Sequence, residues 1–245
     1  MLDLDGVIWV GGTAVPGAAE AVGRLRRADA NLVFVTNMSM LTVADQEAKL
    51  AACGIDAAGS VVTSATAASR LISPSERVLV VGGAGINEAV ELAGAEVCST
   101  EPADVVVVGM DPSFNYDTLG RAMRAVRGGA RLIGTNHDPS YPTERGLAPG
   151  GGSLLAAVAA AAEAEPIMAG KPNQPIADCV RSRIGDTGVV VGDRPDSDGL
   201  FAQALDYEFA LVLSGVTGPD DLPVMPEPQY CAPDLAALVH QMGLE

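Results

Sequence analysis

The chain begins Met1-Leu2-Asp3-Leu4-Asp5-Gly6, with two carboxylates two residues apart, behind an apolar start and ahead of a glycine. On an extended segment, side chains at i and i+2 share a face. A strand ending near Gly6 can therefore turn both acids into one crevice. A carboxylate can attack phosphorus and form an aspartyl-phosphate. A second carboxylate can protonate the departing oxygen and then deprotonate the attacking water. Asp3 and Asp5 suit those two tasks in that order. Two anions facing an anionic phosphate demand a countercharge, which implies Mg²⁺. Taken alone, Asp-x-Asp-Gly also occurs in surface turns and calcium loops.

Three later stretches add to the pair. Thr36 closes the apolar run Leu32-Val33-Phe34-Val35 and precedes Asn37. A hydroxyl at the carboxyl end of a strand, where α/β proteins bind ligands, can hydrogen-bond a phosphoryl oxygen. The same residue also serves as an ordinary strand-end cap. Lys171, in Gly170-Lys171-Pro172-Asn173, offers a point charge for phosphate and for a nucleophilic carboxylate. A solvated lysine is the plain alternative. The stretch is not a P-loop, which needs Ser or Thr after the lysine where this chain has Pro172. Asp193, Asp196 and Asp198 follow Val189-Val190-Val191-Gly192. Acids massed just past a buried strand suit a metal seat better than a solvated face. The fuller calcium-loop pattern is missing.

Regular elements must hold these residues. Apolar, β-branched runs alternate with Ala/Leu-rich stretches along the chain. The runs predict strands at Asn31–Thr36, Val61–Thr63, Arg77–Val81, Asp104–Gly109, Arg131–Gly134, Gly188–Val191 and Phe209–Leu213. Helices are expected at Gly17–Arg27, Thr42–Cys53, Asn87–Leu92, Tyr116–Val126, Gly152–Ala162, Gln174–Ile184, Leu200–Leu205 and Leu235–Met242. Pro16 suits a first helical turn, and Thr42 with Asp45 suits a capping box. This alternation predicts an α/β fold with a parallel sheet covered by helices. One oddity is that only Met1 and Leu2 precede Asp3, whereas strands usually run about five residues. Either the natural start lies upstream or the first strand is clipped.

Bulk composition excludes several classes. The chain has 245 residues, 48% of them hydrophobic, enough for one large domain or two modest ones. Its net charge of −16 argues against nucleic acid or anionic membrane as a partner. Cys53, Cys98, Cys179 and Cys231 are widely spaced, and the two histidines, His137 and His240, complete no zinc set. Buried, reduced thiols in a cytoplasmic protein are expected. The early charges interrupt any signal peptide, and no apolar run reaches membrane-spanning length. The longest low-charge stretch, Leu154–Ala162, reads as a buried helix.

The order of these elements resembles the haloacid dehalogenase superfamily of aspartate-nucleophile phosphotransferases. Within it, the chain is similar to the 4-nitrophenylphosphatase, phosphoglycolate and glycerol-3-phosphate phosphatase branch. The likeness rests on Asp3-Leu4-Asp5-Gly6-Val7, Phe34-Val35-Thr36-Asn37, Val61-Val62-Thr63-Ser64, Gly170-Lys171-Pro172 and Val191-Gly192-Asp193-Arg194. It also rests on the segment from Gly134-Thr135-Asn136-His137-Asp138 through Tyr141-Pro142-Thr143 to Pro149–Ser153. The resemblance implies a Mg²⁺-dependent phosphomonoester hydrolase for a small phosphorylated metabolite: a sugar phosphate, glycerol phosphate, phosphoglycolate or pyridoxal phosphate. Asp3 would be nucleophile and metal ligand. Asp5 would be general acid/base and would bind the metal through its backbone carbonyl. Thr36 and the Asn37 amide would hold the phosphoryl group, and Lys171 would steady it and Asp3. Asp193 would ligate the metal, with Asp198 in support.

The same resemblance implies a Rossmann-like core from residues 1–65 and 169–245, with an inserted α/β cap at 66–168. The cap loop 136–153 would select substrate, with Asn136, His137, Asp138 and Tyr141 as contacts. Caps of this type often supply dimer contacts, so a homodimer is an expectation. The chain departs from the family pattern at Met38, which replaces an amide side chain, and at Gly199, which lowers helix propensity past the metal seat. Rival readings are weaker. Val78–Gly85 looks like a dinucleotide turn, but Glu88 stands where the third glycine belongs. No Gly-x-Ser-x-Gly elbow is present. A non-catalytic phosphometabolite-binding protein on the same fold is the remaining alternative.

Overall fold

The computed structural model describes residues 1–143 and 146–244. The apolar runs form strands and the Ala/Leu-rich stretches form helices, in alternation. The chain divides into two compact units. The first comprises Met1–Thr36, Ala44–Val62 and Ala177–Glu245; the second comprises Asn37–Val43 and Thr63–Ile176.

The first unit is built on a six-stranded sheet in the order Tyr230–Ala232, Glu208–Val212, Val189–Gly192, Leu2–Asp3, Phe34–Thr36, Val61–Thr63. Leu2–Asp3 is only two residues long. Parallel neighbours flank it on both sides: Leu2 lies opposite Phe34 and Val191, and Asp3 opposite Val35. Leu2, Phe34, Val35, Val190 and Val191 are all buried, as strands covered on both faces require. The chain runs outward from the first strand to Val61–Thr63, then resumes at Val189 on the opposite side. The order of strands thus reverses at Asp3. In open α/β sheets, ligands sit beyond the carboxyl ends of strands at such a reversal.

The second unit carries a five-stranded parallel sheet in the order Ile167–Met168, Arg131–Gly134, Val105–Val108, Arg77–Val81, Glu96–Cys98. Leu79, Val81, Val106, Val108 and Leu132 form a core with Ala122, Ala125, Leu155 and Val158 of the covering helices. Together these units make an α/β fold of parallel sheets, as expected.

Several local expectations are corrected. Pro16 does not open a helix: the element is Ala18–Arg27, capped by Gly17 in the left-handed region at φ 78°. A Cβ on Gly17 would also stand 2.9 Å from that of Ala236. The alanine-rich helix, Gly151–Ala162, is not buried throughout; Gly151, Leu155, Val158 and Ala162 line its buried face. Alanine is apolar enough to resemble core yet small enough to sit at a surface. Cys98 and Cys179 are buried, but Cys53 is half-buried and Cys231 exposed, and none of the four is joined in a disulfide. Residues 140–149 are not a simple loop: Ser140–Thr143 pairs antiparallel with Gly146–Pro149. The expected substrate loop 136–153 includes residues 144 and 145, which lie outside the described residues. No helix among the described residues is long and apolar enough to cross a membrane.

Candidate active site

Asp3 ends the first strand, and Asp193 follows the neighbouring strand Val189–Gly192. Asp198 sits within a π-helical turn, Pro195–Gly199. One carboxylate oxygen from each of these three lies within 4.8 Å of the others, and all three residues are buried. Three carboxylates at that spacing need a countercharge to share the space. The surrounding backbone fixes them. Asp193 Oδ2 accepts from the Val216 amide at 2.5 Å, and its carbonyl accepts from the Thr217 amide at 3.3 Å. Asp198 Oδ2 accepts from the Arg194 amide at 3.1 Å, while the Asp198 amide donates to the Arg194 carbonyl at 2.7 Å. Widened π turns of this kind are frequent at functional sites.

Three glycines leave room for the acids. A Cβ on Gly6 would stand 2.3 Å from Asp193 Cγ, and one on Gly215 would stand 2.0 Å from Asp193 Oδ2. A Cβ on Gly192 would stand 2.2 Å from Asp198 Cγ. Gly6 also adopts φ +90°, which a side chain rarely tolerates. The result is a buried, all-oxygen donor set in a glycine cradle. Hard divalent cations such as Mg²⁺ and Ca²⁺ take such oxygen donors, so the residues present fit the cation that the acids imply. Gly199, expected to loosen this seat, has a packing reason: a Cβ there would press on Pro226 and Phe209.

Asp5 stands apart from the trio. It is exposed, and its Oδ1 accepts a 2.9 Å hydrogen bond from Trp9 Nε1. Any metal role for Asp5 would fall to its backbone carbonyl. Thr36 is buried at the end of its strand, one residue past Val35, the register partner of Asp3. Asp3, Asp193, Asp198 and Thr36 therefore gather at the carboxyl ends of three adjacent parallel strands, which run about 4.8 Å apart.

Lys171 and the expected substrate residues belong to the second unit. There Asn37 organises its neighbours. Its Oδ1 accepts from the Lys171 amide at 2.9 Å, and its Nδ2 donates to the Lys171 carbonyl at 3.4 Å. Nδ2 also donates to Asp138 Oδ2 at 3.3 Å. The Asn37 carbonyl accepts from Ser64 Oγ at 2.7 Å and Asn136 Nδ2 at 2.9 Å. Gly170 is obligatory here, since a Cβ would stand 2.2 Å from the Thr135 carbonyl oxygen and 2.6 Å from Asn37 Oδ1. Lys171 and Asn136 are buried, Asp138 and Tyr141 half-buried, and His137 exposed. The glycine-rich turn after Arg77–Val81 has a structural purpose: Cβ atoms on Gly83 and Gly85 would collide with the backbone of Met40 and Leu41.

Two stretches of the chain match family models. Residues 1–96 match a haloacid dehalogenase-like hydrolase model, and residues 168–238 match a related hydrolase model of the same class. An acid sugar phosphatase of Staphylococcus saprophyticus is 33% identical over 254 residues, covering 99% of this chain and 96% of the relative. The chain belongs to the haloacid dehalogenase-like hydrolases. This hydrolase also superposes on solved phosphatases. A glycerol phosphate phosphatase from Mycobacterium tuberculosis, in complex with magnesium, matches with a TM-score of 0.89 and 34% identity, over 97% of this chain and 75% of that one. A p-nitrophenyl phosphatase from Archaeoglobus fulgidus matches with a TM-score of 0.92 and 30% identity, over 98% and 97% of the two chains. These relatives place the hydrolase in the phosphatase branch of its family.

Sequence reasoning missed two parts of this hydrolase's site. One is Ser214–Thr217, whose amides hold Asp193 and whose Ser214 Oγ donates to the Gly6 carbonyl at 2.6 Å. The signal was available: a small, glycine-containing stretch directly after an apolar strand. The other is Trp9, an aromatic in a run that reads as core.

Proposed function

We propose that this chain hydrolyses small phosphomonoesters through an aspartyl-phosphate on Asp3, with Mg²⁺ as cofactor. The observation that carries the reading is the buried trio of Asp3, Asp193 and Asp198, with oxygens within 4.8 Å of one another at the strand-order reversal. Asp3, Asp193 and Asp198 would hold the cation, together with the Asp5 carbonyl. When bound, it supplies positive charge against the phosphate and the acids around it.

In this proposal an Asp3 carboxylate oxygen attacks phosphorus and the ester P–O bond breaks. Asp5 gives its proton to the departing alkoxide. A water then attacks the phosphorus of the aspartyl-phosphate, its proton returns to Asp5, and the phosphorus–Asp3 bond breaks to release phosphate. Thr36 and the Asn37 amide would hold the phosphoryl oxygens, and Lys171 would add a fixed positive charge. Catalysis of this kind is mostly positioning and charge neutralisation. Residues 66–168 would serve as the cap, and Asn136, His137, Asp138 and Tyr141 would choose the leaving group. Relatives named for acid sugar and glycerol phosphates support sugar or glycerol phosphates as substrates. Four cysteines outside any disulfide support a reducing, cytoplasmic setting.

The test is phosphate release from a panel of phosphorylated metabolites, with Mg²⁺ and with EDTA. Activity on at least one alkyl phosphate is expected, lost in EDTA and lowered on the order of 10⁴-fold or more by Asp3→Asn. A wild-type chain that hydrolyses nothing, or an Asp3→Asn variant of full activity, overturns the mechanism.

A further inference from the structure

Asp5 is an exposed carboxylate, yet it has a fixed partner. Trp9 is buried, and its Nε1 donates to Asp5 Oδ1 at 2.9 Å. The indole is itself pinned. The Trp9 amide donates to the Leu4 carbonyl at 3.2 Å, and the Trp9 carbonyl accepts from the Gly6 amide at 2.7 Å. The Leu4 carbonyl also accepts from Ile8 at 2.9 Å, so Leu4–Trp9 closes on itself as a tight loop. Lys49 Nζ rests 4.2 Å from the centre of the ring. A cation over an indole face restrains the ring without competing for the N–H, which lies at the ring edge.

We propose that Trp9 is a positioning residue that holds Asp5 in the rotamer from which it transfers the proton to the leaving oxygen. The proposal deepens, and rests on, the acid/base role assigned to Asp5. An exposed aspartate otherwise samples several rotamers, and proton transfer requires one geometry within hydrogen-bond reach. The donated N–H removes that freedom and leaves Oδ2 as the oxygen for transfer. A packing-only role for Trp9 would need its shape but not its N–H.

Leaving-group dependence separates these. An alkyl phosphate expels a strongly basic alkoxide and needs the proton; 4-nitrophenyl phosphate expels a stable phenolate and needs it far less. Because Trp9 is the single tryptophan of the chain, a tryptophan auxotroph can replace it alone. Benzothienylalanine keeps the bicyclic shape and exchanges the N–H for sulfur. 5-Fluorotryptophan keeps the N–H and serves as control. The reading compares kcat/KM, which reports the step that expels the leaving group, for glycerol phosphate and 4-nitrophenyl phosphate.

With benzothienylalanine, kcat/KM for glycerol phosphate falls roughly 10- to 100-fold, while that for 4-nitrophenyl phosphate changes little. The fluoro enzyme retains the wild-type ratio. Trp9→Phe, which also lacks the N–H, repeats the selective loss in a chain whose melting confirms folding. An unchanged ratio, or an equal loss on both substrates, overturns the assignment of Trp9. Asp5→Asn tells that failure from a deeper one: if it leaves glycerol phosphate hydrolysis intact, the acid/base reading of Asp5 falls as well.

Discussion

A methyl group on residue 6 would stand 2.3 Å from the Asp193 carboxylate, on a backbone held at φ +90°. The left-handed conformation alone costs a non-glycine residue about 1–2 kcal/mol. The collision adds to this, because the displaced atoms are the end of a side chain already tied to the Val216 amide. Gly6→Ala is therefore expected to lower the thermal midpoint by several degrees and to cut kcat/KM by roughly 10- to 100-fold through a misplaced Asp193. A melting curve and a phosphate-release assay on the same preparation check both effects. Wild-type behaviour in both would show that the cradle tolerates a side chain. At this scale the sequence was informative about the acids and silent about their supports. Asp3, Asp193 and Asp198 are chemically conspicuous, whereas Gly215 gains its role from Asp193, distant in the chain, and Trp9 gains its own from a local loop that aims its N–H at Asp5.

Elements differ in how strongly local sequence specifies them. Tyr116–Arg127 begins where the pattern predicts, and Asn115 accepts from the amides of Asp117 and Thr118 at 3.0 Å each. Losing such a cap costs about 1 kcal/mol. Asn115→Ala should lower the melting midpoint of its unit by about 2–4 °C and leave kcat unchanged, as calorimetry and kinetics together would record. By contrast, Glu96–Cys98, Ile167–Met168 and Tyr230–Ala232 were not legible as strands. Each spans only two or three residues, too few for a periodicity, and each exists because a neighbouring strand offers hydrogen bonds. Ser64–Ser69, a six-residue helix of small side chains, is likewise set by its surroundings. Its one local mark is the N-cap Thr63, whose side chain accepts from the Thr66 amide.

For the whole molecule, the net charge of −16 and the buried acidic trio point to one measurable linkage. A cation that binds only the folded chain stabilises it by about 2.7 kcal/mol at a hundredfold excess over its dissociation constant. For a chain of this size that corresponds to about 5–10 °C. Mg²⁺ should raise the midpoint of the first unit by that amount, and EDTA should reverse it. Where the units melt in separate transitions, the second serves as an internal reference. Asp193→Asn should abolish the shift in the first while leaving the second where it was. A shift that survives Asp193→Asn would move the cation elsewhere.

The alternation of apolar runs and helical stretches sufficed for an α/β fold, because buried parallel strands and amphipathic helices write their periodicities into adjacent residues. The order of acids, threonine and lysine sufficed to suggest phosphate chemistry, because those groups must be supplied whatever the architecture. Tertiary structure alone decided which acids converge. Asp3 and Asp193 are 190 positions apart and meet because the strand order reverses at the first strand. It also set Asp3 on a strand paired in parallel on both sides. Finally, it made Trp9, which is buried, a donor to Asp5. Burial can be guessed from residue type, but the direction of an N–H depends on a loop closed by its own backbone hydrogen bonds.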